Sequence, residues 1–443
     1  MCAGVARVKR PRHRSVVLTT LAYRLAIGAG VPLASLLLRR PGVRQGHRGR
    51  LGAVARLEDW ARAHRDADRP LAWFHAASVG EGLQARAVLA ALRTLRPELQ
   101  VVATRFSASA ERLAATMPAD VTEYLPYDRR HEVARVLTAL RPELLVFAKL
   151  DVWPELATQA AATGAHVALV AASVDPGSAR LRWPARTLAR RGYAALGLVA
   201  AIAPDDAERL ARLGADPARL VVTGDPRVDV VLETVEAARR ASPQLIDSTD
   251  EFALVAGSTW PRDEVVLLAA FAQVRRQHPA ARLILVPHEP TADHIAALET
   301  RASEYGLATA RWDGNRRDGA VVEIVDRMGL LSALYASGSM AYVGGGFGER
   351  GIHSVLEPAG WQRPVLIGPN DRGVRDARLL ANAGGLVRLP WKAPEVALAN
   401  QWGAWLDYPT ARFMAGERAG EALLSDRGAS QRSAELLAAL RYP

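Results

Sequence analysis

Cysteine is almost missing from this chain. One residue, Cys2, stands in 443, so no disulfide can form within it, and a reducing compartment suits it. Aromatic residues are also scarce, at 6%. The arginines are scattered rather than gathered with aromatics into a basic module, which argues against nucleic acid as a partner. There is no P-loop, no H-E-x-x-H and no nucleophile elbow, so three common chemistries have no local signature. No short repeat or low-complexity tract breaks the chain. Acidic residues are outnumbered by basic ones, and the net charge of +11 points to anionic partners: phosphorylated substrates or anionic lipid.

What is present is globular. Hydrophobic residues make up 49%, and the length exceeds a single core, so two domains are expected. The run from Val16 to Leu38 carries one charge, Arg24. A spanning helix needs about 20 apolar residues, so length permits crossing. Gly28, Gly30 and Pro32 interrupt the run, and both flanks are basic, which leaves no orientation preference. No small-residue cleavage site follows it. The pattern fits an interfacial anchor on anionic lipid over residues 1–50, with a true span and a buried core helix as the other readings.

From residue 71 onward, buried strands alternate with helices. Strands are expected at 71–74, 100–103, 143–149, 166–172, 198–203 and 220–223, with helices at 83–95, 131–140 and 154–162. Continuous Val/Leu/Ala runs between helices mean a parallel sheet covered on both faces. This first α/β domain covers 51–230. A polar stretch at 231–251 reads as a linker. A second α/β domain, 252–443, has strands at 252–255, 283–286, 340–343 and 365–367 and a helical tail. Doubly wound sheets bind ligand at the carboxyl ends of their strands.

Several groups fall at such ends. Glu81 follows Ser78-Val79-Gly80 at a strand-to-helix turn, where it could take a proton from an alcohol or simply complement the helix dipole. Lys149 and Asp151 follow a buried strand; they read as part of a cleft, or as a local ion pair with a cap for the helix at Pro154. Arg227 follows Thr223-Gly224-Asp225-Pro226 and offers a fork suited to phosphate or carboxylate. Ser258 and Thr259 open the second domain's first turn with backbone N–H groups suited to an anion. His288, after Pro287, suits nucleotide contact better than metal ligation, because no second ligand stands at the right spacing. Gly346 to Gly351 matches the dinucleotide fingerprint in letters but not in position. The glycine turn suits phosphate, and Glu357 suits a ribose. Asp66-Ala67-Asp68 reads as a solvated connector among arginines.

The stretches His75–Glu81, Tyr124–Asp128, Ala256–Thr259, Asp326–Gly329, Gly351–Pro358 and Gly368–Asn370, in that order, resemble the 3-deoxy-D-manno-octulosonic acid (Kdo) transferase family over nearly the whole chain after the leader. The resemblance implies two Rossmann-like domains of the glycosyltransferase B type behind a membrane-associating start. It implies metal-independent, inverting transfer of Kdo from CMP-Kdo to a lipid A precursor in lipopolysaccharide core biosynthesis, at the cytoplasmic face of the inner membrane. No cofactor is implied. Glu81 matches the base. Asp151, where the family usually has Glu, and Arg227, where many members have Lys, match transition-state stabilisers. Pro287 and His288, Gly329 to Leu331, and Ser354, Val355, Leu356 and Glu357 match stretches that hold CMP. Ser354 stands in place of a usual Asn, and Leu330 in place of a usual acid. Two alternatives stay open: another nucleotide sugar on the same fold, or a membrane-bound nucleotide- or lipid-binding homologue with weak turnover.

Overall fold

In the computed structural model, the described residues are 41–241, 250–313, 319–349 and 351–440, with Leu21, Tyr23, Arg24, Leu25, Ile27 and Gly28. Most of the apolar run 16–38 and the whole basic stretch before it lie outside them. Among the described residues no helix is long and apolar enough to cross a membrane.

The apolar runs form strands because both of their faces are covered, which selects continuous Val, Leu and Ala over alternation. In the first unit these are β1 (Leu71–Ala76), β2 (Gln100–Arg105), β3 (Val121–Tyr124), β4 (Leu144–Ala148), β5 (His166–Ala172), β6 (Leu198–Ala201) and β7 (Leu220–Val222). All pair in parallel in the order β3-β2-β1-β4-β5-β6-β7. One face packs Leu57, Val133, Leu137 and Leu156 against the sheet, and the other packs Val88, Leu89 and Leu92. Strand order reverses between β1 and β4, the point where loops diverge and leave a crevice.

The second unit repeats the plan with β8 (Asp250–Thr259), β9 (Arg282–Pro287), β10 (Thr309–Arg311), β11 (Val322–Ile324), β12 (Gly338–Val343), β13 (Val365–Ile367) and β14 (Leu386–Arg388). Their order is β10-β11-β9-β8-β12-β13-β14, again all parallel. Here the reversal falls between β8 and β12. Phe271 stacks on Trp402 at 5.2 Å and anchors the helix Pro394–Asp407 to this unit.

Two boundaries differ from the sequence reading. The stretch 231–251 begins as the continuation of the helix Pro226–Ala241, and the units divide at residue 230. The chain end also changes unit: residues from 426 onward belong to the first, not to a tail of the second. Ala434 and Leu437 of the helix Ala429–Ala438 bury in the cluster that holds Phe74 and Leu89. Asp229 fixes that helix's start, its two carboxylate oxygens accepting the N–H groups of Gly428 and Ser430 at 2.7 Å each.

Removing that cap leaves two helix-terminal donors without an acceptor, a loss of about 1–2 kcal/mol. Asp229→Ala is therefore expected to speed amide hydrogen exchange across 426–440 about tenfold, with β1 and β4 unchanged. Asp229→Asn should recover part of the protection.

Candidate active site

In the first unit, the crevice between β1 and β4 collects charged and aromatic side chains. Glu81 is the third residue of the helix Val79–Leu95, in a capping box with Ser78. Its Oε2 accepts the N–H groups of Ala77 at 2.9 Å and Ser78 at 3.1 Å. The helix start thus holds the carboxylate, and Oε1 makes no hydrogen bond among the described residues. The capping role and the role of a proton acceptor are compatible, because each uses a different oxygen.

Asp151 follows β4. It neither pairs with Lys149 nor caps the helix Pro154–Ala162. The cap comes instead from Asp128, whose two oxygens accept the N–H groups of Glu155 and Leu156 at 2.9 Å each. Asp151 takes Nη2 of Arg180 at 3.1 Å and the indole N–H of Trp153 at 3.2 Å. His75 Nε2 stands 3.7 Å away and accepts the same indole N–H at 3.2 Å. The other ring nitrogen of His75 bonds the Thr104 hydroxyl at 3.0 Å. Burial pushes the Asp151 carboxyl up, but its polar neighbours outweigh burial and leave it below the usual aspartate range. Lys149 is exposed and has φ 62, a left-handed backbone that a side chain rarely adopts.

Arg227 is the second residue of the helix Pro226–Ala241 that follows β7, its Nε donating to Asp225 Oδ2 at 2.8 Å and its N–H to Oδ1 at 2.9 Å. Asp225 also accepts Gln84 at 3.0 Å. Gln84 is three positions from Glu81, on one helix face, so the structure links Glu81 and Arg227 through the Gln84–Asp225 contact. Sequence reasoning missed Arg180, Gln84, Trp153 and Thr104. Trp153 lies in the stretch Lys149–Pro154 but had no role there; Arg180, Gln84 and Thr104 belong to no motif, and only the fold brings them to the crevice.

In the second unit, the crevice lies between β8 and β12. Ser258 has φ 52. Thr259 is buried, and its hydroxyl donates to Glu264 at 2.9 Å. Gly344 N–H donates to Gly257 O at 2.9 Å, and His288 N–H to Thr259 O at 2.9 Å, which ties three strand ends together. The glycine turn packs backbone on backbone: a Cβ on Gly346 would lie 2.6 Å from Gly368 Cα, and one on Gly345, at φ 97, 2.3 Å from Gly351 O. Close approach of chain segments is therefore what these two glycines provide.

The remaining expected residues surround this turn. Gly329 has φ 89; Leu330 precedes the short helix Leu331–Leu334, and Leu331 closes over Gly257. Pro287 is buried at the end of β9. Ser354 is exposed and its hydroxyl accepts the Leu356 N–H at 3.4 Å. Val355 and Leu356 are buried beneath. Glu357 is half-buried, and its carboxylate has no hydrogen bond or ion pair among the described residues. Burial alone holds it above the usual glutamate range. An open depression of about 410 Å³ lies beside the turn, lined by Trp260, Arg262, Gly345 and Gly348 among others. Among the described residues no cluster could hold a metal ion; Asp66 and Asp68 form a turn, closed by the Asp68 N–H on Asp66 Oδ1 at 3.0 Å.

Residues 46–230 match the family described as 3-deoxy-D-manno-octulosonic-acid transferase (kdotransferase). The 3-deoxy-D-manno-octulosonic acid transferase of Bordetella pertussis is 30% identical over 94% of this chain and 98% of its own length. That of Haemophilus influenzae is 25% identical over 82% and 86%. In fold, the chain is similar to a glycosyltransferase from Rickettsia africae, with TM-score 0.57 and 9% identity over 84% of this chain and 98% of that one. It is likewise similar to the UDP-GlcNAc 2-epimerase of Neisseria meningitidis, at 0.57 and 12% over 83% and 97%. Two parallel-sheet α/β units of this kind are the glycosyltransferase B architecture. With a relative matched almost end to end, the chain belongs to the 3-deoxy-D-manno-octulosonic acid transferase family.

Proposed function

We propose that this protein is an inverting glycosyltransferase that moves Kdo from CMP-Kdo to a hydroxyl of a lipid A precursor, a step of lipopolysaccharide core biosynthesis. The observation that carries the reading is similarity to the Bordetella transferase across 98% of that enzyme, which covers both units rather than one. Glu81 Oε1 takes the proton of the acceptor hydroxyl. The freed oxygen attacks the anomeric carbon of Kdo, the bond to the phosphate oxygen breaks, and CMP leaves with the electron pair. A base of this kind contributes about 10²–10⁴-fold. Asp151 holds His75 and Arg180 around the first crevice, and Arg227, partly balanced by Asp225, supplies positive charge near Glu81. In the second unit, Ser258, His288, the turn at Gly346 and the segments 329–331 and 354–357 hold CMP, with the unpartnered Glu357 accepting from a ribose hydroxyl.

The enzyme works at the cytoplasmic face of the inner membrane, drawn there by its positive charge and by the apolar run 16–38. Support for an interfacial position comes from Arg24, the one charge of that run. Its Nε donates to the buried Glu155 at 2.7 Å, and the adjacent Tyr23 hydroxyl donates to Asp128 at 2.6 Å. Both residues are thereby occupied with the first unit.

Three experiments test this reading. Purified protein given CMP-Kdo and a tetra-acylated acceptor should yield a Kdo-bearing product by mass and release CMP; transfer from a UDP-hexose instead would refute the donor. Glu81→Gln is expected to lower turnover by at least about 10²-fold with CMP affinity intact, and Asp151→Asn by about 10²-fold; retained turnover in either would remove that residue from the chemistry. An alkaline carbonate wash of membranes should release an interfacial protein, whereas a spanning one stays in the pellet.

A further inference from the structure

Two side chains at the second crevice have no part in the reading above: Trp260 and His353. His353 follows the glycine turn, and its N–H donates to Gly344 O at 3.1 Å. Its ring stacks on His288 with centroids 4.3 Å apart and lies parallel to Trp260, at 6.4 Å and 13°. The Trp260 indole N–H donates to His353 Nε2 at 3.1 Å.

That bond fixes the histidine's chemistry. An indole nitrogen can only donate, so Nε2 must present a lone pair. The ring is therefore neutral, with its proton on Nδ1. Protonation would set two N–H groups head to head and break the bond. Burial, helped by His288, acts in the same direction and pulls the ring down to about 4. The charged neighbours are engaged elsewhere. Asp263 accepts from Trp260 N–H, Gly345 N–H and the Tyr342 hydroxyl. Glu264 bonds Thr259 and His294, and Arg262 reaches Phe347 O. His288 is the titratable group in contact with the ring, and Nδ1 makes no hydrogen bond among the described residues.

We propose that Trp260 is a positioning residue that locks His353 as a neutral Nδ1–H donor for a phosphate oxygen of the bound nucleotide. This rests on the CMP-sugar reading of the second unit. The phosphate of a CMP-sugar is a diester, so its oxygens carry no proton near neutrality and only accept, which suits a site whose own proton is held in place. The ring stands at the turn where strand order reverses, the place where doubly wound sheets bind phosphates.

Calorimetry with CMP, with its methyl phosphodiester, whose phosphate carries no proton that titrates near neutrality, and with cytidine, near about pH 6 in two buffers of different ionisation heat, tests the idea. Wild-type protein should bind the diester without proton uptake. Trp260→Phe should take up a sizeable fraction of a proton, with an affinity that changes between about pH 5 and 7. His353→Ala should bind CMP about tenfold or more weakly and cytidine as before. His353→Asn, whose amide nitrogen stands near the Nδ1 position, should recover most of the loss. Unchanged CMP affinity in His353→Ala, an equal loss for cytidine, or proton uptake by the wild type with the diester would each overturn the proposal. A wild type that binds neither ligand would overturn the donor reading first, and this inference with it.

Discussion

Everything at the two crevices depends on one constraint: a parallel sheet whose strand order reverses. Right-handed crossovers carry the chain outward from β1 to β2 and β3, and then back to β4 on the other side of β1. The loops after β1 and β4 must leave in opposite directions, so the space above their carboxyl ends stays open. Glu81 follows the first loop and Asp151 lies on the second. The second unit meets the same requirement at β8 and β12, where Ser258 and the glycine turn stand. In each unit a non-glycine residue in left-handed backbone ends one of the reversal strands: Lys149 after β4 and Ser258 within β8. Such a conformation costs on the order of 1–3 kcal/mol and persists where surrounding structure imposes it.

The two crevices handle carboxylates differently. Glu81 is held by two amide N–H groups of its own turn, so its position is set by the helix start and survives without any neighbouring charge. Asp151 is a half-buried acid kept low by its polar neighbours, Arg180 among them. Glu357 has burial and, among the described residues, no compensating partner. An acid that is desolvated yet unpaired is costly unless something else supplies the missing bond. A ribose hydroxyl would do so, which makes Glu357 the residue whose environment most clearly calls for a ligand.

The central strands of both sheets were legible because burial on two faces imposes a continuous apolar run that no loop would carry. The edge and short strands were legible only in part: β7 and β13 were read, and four others were not. β3, β10 and β14 are short and largely half-covered, so their sequences mix polar and apolar residues like the loops around them. β11 is buried but carries Glu323, paired with Arg282 at 3.0 Å, and a charged residue hides a strand from any hydrophobic reading. Helix starts were displaced too: Val79, not Leu83, begins the helix that carries Glu81, because the capping box outweighs the glycine at 80. The chain's return to the first unit at 426 left no local mark, since Ala434 and Leu437 are ordinary residues of an Ala-rich helix. Motif positions such as Glu81 and the glycine turn were visible by spacing. Arg180 was not, because its contact with Asp151 is made between separate segments and has no fixed separation in sequence; Gln84 and Trp153 stand close to Glu81 and Asp151 in the chain, but only the fold shows what they bond.

The shorter side chain at 151 acquires a physical account from those partners. Asp151 does not extend outward from the end of β4. It bonds Trp153, two positions on, and Arg180, from the turn after β5. Arg180 also donates to Leu150 O at 2.6 Å, and the Tyr193 hydroxyl donates to the same oxygen at 2.8 Å, so the loop carrying Asp151 is fixed on both sides. Through the shared indole N–H the constraint passes to His75 on β1, and from there to Thr104 on β2, which also accepts the Trp73 indole at 2.9 Å. A negative charge here organises three adjacent strands beneath the turn that bears Glu81. That task needs a carboxylate close to the backbone rather than a long reach, and aspartate meets it.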